Sequence, residues 1–158
     1  MEIKPFEDSK LDPIVRLSLR AWEPVFESLE RAMDPDVYRE QHPDWRATQR
    51  KAVESVCADK DVHVWVASDG SQTVGFVALK LHSEDRMGEV YMIAVDPDFQ
   101  RRGIGPGLTN HSLAWLKQAG MTTVMVETGG DAGHAPARRT YESAGFRLLP
   151  IARYFKKP

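Results

Sequence analysis

The chain has 158 residues, 42% hydrophobic and 28% charged, so it fits one globular domain, residues 1–158, with a single core. Its 21 basic and 23 acidic side chains leave a net charge of −2, which provides no field to draw nucleic acid or an anionic membrane. One cysteine, Cys57, excludes an internal disulfide, no apolar run reaches membrane-spanning length, and Met1-Glu2-Ile3-Lys4 opens no signal peptide; a cytoplasmic protein is expected.

Residues 1–6 read as a short first strand. Asp12-Pro13 reads as a helix start, an N-cap followed by proline at the first helical position. Ile14, Leu17, Ala21 and Val25 then keep helical spacing, and Pro24 is expected to split the run into two short helices. A second helical block covers residues 43–58, with Trp45, Ala52, Val53, Val56 and Cys57 on one face. From residue 62 the period becomes two: Val62, Val64 and Val66 alternate with His63 and Trp65. Asp69-Gly70 signals a hairpin, residues 74–81 make the returning strand, and residues 89–95 make another after a polar turn. Ile104, Leu108, Trp115, Leu116 and Ala119 mark a helix ended by Gly120. Residues 121–128 read as a strand, 135–144 as a helix closed by Gly145, and 146–155 as a final strand. Early helices, then antiparallel strands, then a closing β–α–β–α–β run describe a mixed α/β (α+β) sheet domain.

The segment joining the strand at 89–95 to the next helix, Val-Asp-Pro-Asp-Phe-Gln100-Arg101-Arg102-Gly103-Ile104-Gly105, carries the chemistry. A basic, glycine-punctuated turn that opens a helix can aim its backbone N–H groups and the helix dipole at a pyrophosphate. It fits the pattern Gln/Arg-x-x-Gly-x-Gly/Ala. Further on come His134 and then Tyr141-Glu142-Ser143-Ala144-Gly145-Phe146 at a helix end.

With the strand 89–95, that turn, the helix from His134 into Tyr141-Glu-Ser-Ala-Gly-Phe146 and the closing strand in this order, residues 60–155 resemble the GCN5-related N-acetyltransferase (GNAT) superfamily. The resemblance implies an acyl-CoA N-acyltransferase fold: a central, mostly antiparallel sheet with a splayed parallel strand pair and flanking helices. It implies acetyl-CoA as co-substrate, with Ile93, Ala94 and Val95 offering backbone groups to the pantetheine arm. Arg101, Arg102, Gly103, Ile104 and Gly105 would hold the pyrophosphate. Pro106 departs from the commonest pattern and removes one donor.

Tyr141 is the candidate general acid, since a phenol with a pKa of about 10 is protonated at neutral pH and can donate to a departing thiolate. Glu89 is the candidate base for an acceptor ammonium, directly or through water, and simple alternation puts it on one strand face with Tyr91 and Ile93. His134 stands where many members carry an asparagine that bonds the cofactor arm; it can donate there, or move a proton instead. Asp131 and His134 are too few ligands for a metal, and none is expected. The acceptor is read as a small-molecule amine entering near Trp22, Phe26, Glu27 and Trp45 and the last strand's Arg153, Tyr154 and Phe155. A protein amine, or acyl-CoA sensing without turnover, are the alternatives. The resemblance also admits a homodimer through terminal strands. Cys57, on an apolar helix face, reads as a small buried hydrophobe rather than a nucleophile.

Overall fold

The computed structural model describes residues 1–158 as a five-stranded mixed sheet with helices on both faces. The strands follow chain order: β1 (Glu2–Pro5), β2 (Val62–Asp69), β3 (Gln72–His82), β4 (Met87–Val95) and β5 (Thr123–Val126). β1 to β4 pair antiparallel, and β4 pairs parallel with β5. Between β1 and β2 lie α1 (Leu11–Ala32), α2 (Pro35–Gln41) and α3 (Trp45–Ala58). The crossover from β4 to β5 is α4 (Ile104–Gln118), and α5 (Ala135–Ser143) follows β5. No helix is long and apolar enough to cross a membrane.

Two cores sandwich the sheet. On one face Ile14, Val15 and Leu17 of α1 and Val53 and Val56 of α3 pack on Val62, Val64, Val66, Phe76, Ala78 and Ala94. On the other, Ile104, Leu108 and Leu116 of α4 pack on Val74, Val77, Leu79 and Val90. Fully burying one such side chain stabilises the fold by about 1.5–3 kcal/mol. Gly88 lets α4 approach, because a Cβ there would lie 2.6 Å from Leu116 Cδ2.

The helix expected to break at Pro24 is one continuous helix from Leu11 to Ala32. A proline in a helix interior removes one backbone bond. Here that loss is outweighed by a buried stripe before Pro24 and by side-chain ties on either side of it, Arg20 to Asp96 and Ser28 to Asp131. Asp12 and Pro13 fall inside the first turn rather than at its cap, which is Lys10. The hairpin turn is one residue later than expected, with Asp69 paired to Gln72 across Gly70 and Ser71. The short α2, capped by the Asp34 carboxylate accepting from Asp36 and Val37 N–H, was not apparent from periodicity.

The final strand expected at 146–155 does not form. Residues 146–158 carry no regular structure, and Leu148, Leu149, Ile151, Tyr154 and Phe155 are exposed. Pro150 removes a ladder donor in mid-run, and β5 offers a neighbour only four residues long. The segment is tied at its surface by ion pairs, Arg153 to Glu127 at 3.8 Å and Lys157 to Glu40 at 3.2 Å.

Candidate functional site

The site begins where β4 and β5 part. Their parallel register runs from Met87 opposite Thr123 to Val90 opposite Val126 and stops there. β4 continues alone to Val95, so its backbone edge from Tyr91 to Val95 has no strand beside it on that side. Ile93, Ala94 and Val95, the residues expected to meet the pantetheine arm, are all on this open stretch. A parallel pair that separates leaves a cleft lined by unpaired peptide groups, and such groups need a partner.

One end of the cleft is the turn after β4. Asp96 caps a 3-10 turn over Pro97–Phe99 by accepting from Asp98 N–H at 3.0 Å. Arg101 and Gly103 then take positive φ, +61° and +79°, and α4 starts at Ile104. The N–H groups of Arg101, Arg102, Gly103, Ile104 and Gly105 donate to no backbone atom; the next bond formed is Gly107 N–H to Gly103 O at 2.9 Å. No side chain accepts from them either, so consecutive donors stand open at a helix start, the arrangement that receives oxyanions. Pro106 has no N–H, and the row ends before it. A Cβ on Gly105 would point between Val95 Cγ2 at 3.9 Å and Thr140 Cγ2 at 4.0 Å, which joins this turn to β4 and α5 across one cleft. The Arg102 guanidinium lies over the Phe99 ring, 4.9 Å from its centroid, and Arg101 is exposed. These residues and spacings fit the acyl-CoA phosphates.

The other wall is α5. Tyr141 is the one buried residue of that helix, set edge-on to Phe146 with ring centroids 5.9 Å apart. Its hydroxyl makes no hydrogen bond within the chain and is not sealed from solvent. Burial pushes the phenol pKa up to about 12. Tyr141 therefore keeps its proton through the neutral range and has it free to donate.

Glu89 is placed differently from what alternation implies. β3 and β4 slip register between Ala78 and Leu79, where Met92 and Val90 are their partners, so Tyr91 is the extra residue of a bulge. Beyond it, Ile93 and Val95 pack with Val90 on the α4 face, while Met92 and Ala94 pack on the α1 face. Glu89 lies opposite Lys80, whose ammonium sits 3.3 Å from the Tyr91 ring centroid. Glu89 thus stays near Tyr91 but not with Ile93. It is largely buried, and its carboxylate accepts from His82 Nε2 at 2.7 Å.

His134 caps α5, seven positions before Tyr141, and two helical turns bring both to one side of the helix. Its Nδ1 donates to Asp131 Oδ1 at 2.5 Å. Asp131 Oδ2 also accepts from Ser28 Oγ at 2.6 Å and from Gly133 N–H at 3.1 Å. Arg138 Nη1 closes the loop by donating to the carbonyls of Gly129 and Asp131 at 2.5 and 2.8 Å. Burial works to raise the Asp131 carboxyl, but the bonds from Ser28 and His134, with the His134 charge, outweigh it and hold it below the usual carboxylate range.

Of the residues expected near the acceptor, Phe26 stacks on Trp45 at 4.5 Å with rings 13° from parallel, and Trp22 packs against the α1-side core. Arg153, Tyr154 and Phe155 lie on the exposed terminal segment. Sequence reading missed Arg20, Ser28 and His82. Ser28 and Arg20 meet partners 103 and 76 positions away, for which no local pattern exists.

A family model described as the acetyltransferase (GNAT) family matches residues 22–146. The chain is 30% identical over 162 residues to a mycothiol acetyltransferase of Rhodococcus jostii, across 90% of this chain and 50% of that one. It therefore spans about half the length of the mycothiol acetyltransferases it matches. It is 37% identical over 98 residues to a ribosomal protein bS18-alanine N-acetyltransferase of Salmonella typhimurium, across 54% of this chain and 65% of that one. The crystal structure of the PaiA N-acetyltransferase of Thermoplasma acidophilum in complex with coenzyme A shares the fold. Its TM-score is 0.69 at 15% identity, over 96% of this chain and 92% of that one. The chain belongs to the acetyltransferase (GNAT) family.

Proposed function

We propose that this chain is an N-acetyltransferase that moves the acetyl group of acetyl-CoA to a primary amine of a small-molecule acceptor by direct attack. One observation supports the reading: the row of unpartnered N–H groups from Arg101 to Gly105 lies against α5 at Thr140, the neighbour of Tyr141, whose hydroxyl makes no hydrogen bond within the chain. The row receives the pyrophosphate of acetyl-CoA, and the open edge at Ile93, Ala94 and Val95 receives its arm. Acetyl-CoA supplies the activated acyl group; the chain's residues align it and manage protons.

An alkylamine with a pKa of about 10.4 is an ammonium at pH 7 and loses a proton before it attacks. Glu89, hydrogen-bonded to His82, takes that proton directly or through water. The amine then attacks the thioester carbonyl, N–H groups on the β4 edge stabilise the developing oxyanion, and Tyr141 donates to the departing sulfur. With a phenol near 12 against a thiol of about 8.5 in water, full transfer is uphill unless the thiolate is buried too. Tyr141 thus acts first as a hydrogen-bond donor to the developing charge. His134, its Nδ1 committed to Asp131, has Nε2 left for the cofactor arm.

The relative from Salmonella typhimurium favours a second reading, an alanine N-terminus of a protein as acceptor. A homodimer is an assembly the family resemblance admits, and analytical ultracentrifugation showing a monomer at all concentrations would refute it. The test of function is thiol release from acetyl-CoA with aminoglycosides, polyamines, amino acids and peptides, repeated with Tyr141→Phe. Acceptor-dependent release should fall by about a hundredfold in the variant, with unchanged acetyl-CoA affinity and thermal stability, since the hydroxyl has no partner in the fold. Equal release by both proteins removes Tyr141 from the chemistry; a failure of acetyl-CoA to bind removes the reading itself.

A further inference from the structure

On the face of the sheet that carries Glu89, β3 offers the carboxylate two basic neighbours. Lys80 stands directly opposite Glu89 in register, and His82, two residues on, is its diagonal neighbour. A full charge directly opposite has the stronger claim on a carboxylate. The contact nevertheless goes to His82, whose Nε2 lies 2.7 Å from Glu89 Oε2, and no lysine or arginine nitrogen comes within 4.0 Å of that carboxylate. Lys80 is drawn off by the bulge. Tyr91, the extra residue of β4, brings its ring against Lys80 Nζ, 3.3 Å from the centroid.

This contact defines the imidazole. Two lone pairs do not settle 2.7 Å apart, so a neutral His82 carries its proton on Nε2 and donates it to Oε2. One carboxylate oxygen is thereby engaged. Glu89 Oε1 makes no hydrogen bond within the chain and is not sealed from solvent.

We infer that His82 is the positioning residue of the base: it holds the Glu89 carboxylate by one oxygen and leaves the other, Oε1, for the ammonium of the acceptor. The inference rests on the acetyl-transfer reading, in which Glu89 takes the acceptor's proton. In that step the proton passes from the acceptor nitrogen to Oε1, the nitrogen keeps the electron pair that attacks the thioester carbonyl, and the Nε2–H bond of His82 stays intact. A neutral donor suits the task better than Lys80 would. An ammonium on Glu89 would cancel the charge that draws in the acceptor's own ammonium, whereas the imidazole orients the carboxylate and leaves its charge standing. A glutamate without a partner samples several rotamers, and turnover then waits for the productive one. Fixing that rotamer raises kcat and adds no contact to acetyl-CoA.

The test is steady-state thiol release from acetyl-CoA with the most active amine of the acceptor panel, for the full chain and for His82→Ala, His82→Gln and Lys80→Ala. His82→Ala should lower kcat about tenfold, the worth of one hydrogen bond to a charged group, with the KM for acetyl-CoA unchanged. Glutamine carries an amide N–H in place of the ring N–H, so His82→Gln should recover kcat to within about threefold of wild type. Lys80→Ala alters the residue directly opposite Glu89 without touching the carboxylate and should keep kcat. A kcat for His82→Ala equal to wild type overturns the proposal. So does His82→Gln no faster than His82→Ala, or Lys80→Ala as slow as His82→Ala, because the effect would then belong to the strand pair and not to the donor. Each of these outcomes leaves the acetyl-transfer reading in place. Wild type that releases no thiol with any amine overturns that reading, and the role of His82 with it.

Discussion

Arg20 of α1 holds Asp96 at the end of β4, its Nη1 3.0 Å from Oδ1 and 2.8 Å from Oδ2, while Nη2 reaches Asp98 at 2.8 Å. The Asp98 hydrogen bond and the Asp96 charge keep the Arg20 guanidinium pKa above its ordinary value. Because Asp96 also caps the turn that precedes the N–H row, one buried carboxylate joins α1 to the turn proposed to hold the cofactor. Asp96→Ala should destabilise the fold by about 2 kcal/mol through the lost cap and the lost charge-assisted bond. Urea denaturation measures that loss, and calorimetry should show weaker acetyl-CoA binding alongside it. If both stay at wild-type values, the turn keeps its shape without α1.

Gly103 has φ +79° with nothing within 4 Å of a Cβ placed on it, so a side chain there meets backbone strain and no collision. Gly103→Ala should cost about 1 kcal/mol and weaken acetyl-CoA roughly fivefold by turning the adjacent N–H groups. Gly70, at φ +58° with equal space around it, is the control. Gly70→Ala carries the same strain at the hairpin and should leave acetyl-CoA affinity alone. Equal affinity losses in the two variants would assign the effect to global stability.

The Asp131 carboxyl titrates below its usual range in the folded chain, so its contribution to stability is present above the unfolded pKa of about 3.9. That contribution disappears as pH falls through the lower folded pKa. Asp131→Asn should therefore melt below wild type at pH 5, and the two should converge in acid, below about pH 4. A margin independent of pH down to acid unfolding would show that the carboxylate charge is not what holds the loop.

Cys57 packs against the α1-side core, and burial pushes its thiol up to about 11. Alkylation proceeds through the thiolate, so at pH 8 iodoacetamide should label the folded chain roughly two hundredfold more slowly than free cysteine, whose pKa is about 8.5. The rate should still be climbing about tenfold per pH unit at pH 10. A plateau reached by pH 9 contradicts a raised thiol.

The β2–β3 hairpin, α4 with its glycine end and the anion turn were all legible in the chain, because each depends on neighbours a few positions away. Period, turn chemistry and a positive φ at Gly103 are local properties, and so is the spacing of His134 and Tyr141 on one side of α5. The residues proposed for the cofactor cleft were named through the family resemblance that these local motifs carry.

The tertiary structure decided what depends on partners far along the chain. Pro24 forecast a break, yet α1 runs through it, because Arg20 and Ser28 on either side are held by Asp96 and Asp131, 76 and 103 positions away. Alternation put Glu89 with Ile93, but the bulge at Tyr91 is set by the register of β4 against β3, which neither strand encodes alone. Apolar spacing promised a strand after Phe146, and a strand needs a neighbour whose length and edge no sequence window contains. Local free energies choose the elements; pairing between distant ones chooses where their side chains meet, and that second choice tied α1 to the end of β4 and to the loop before α5.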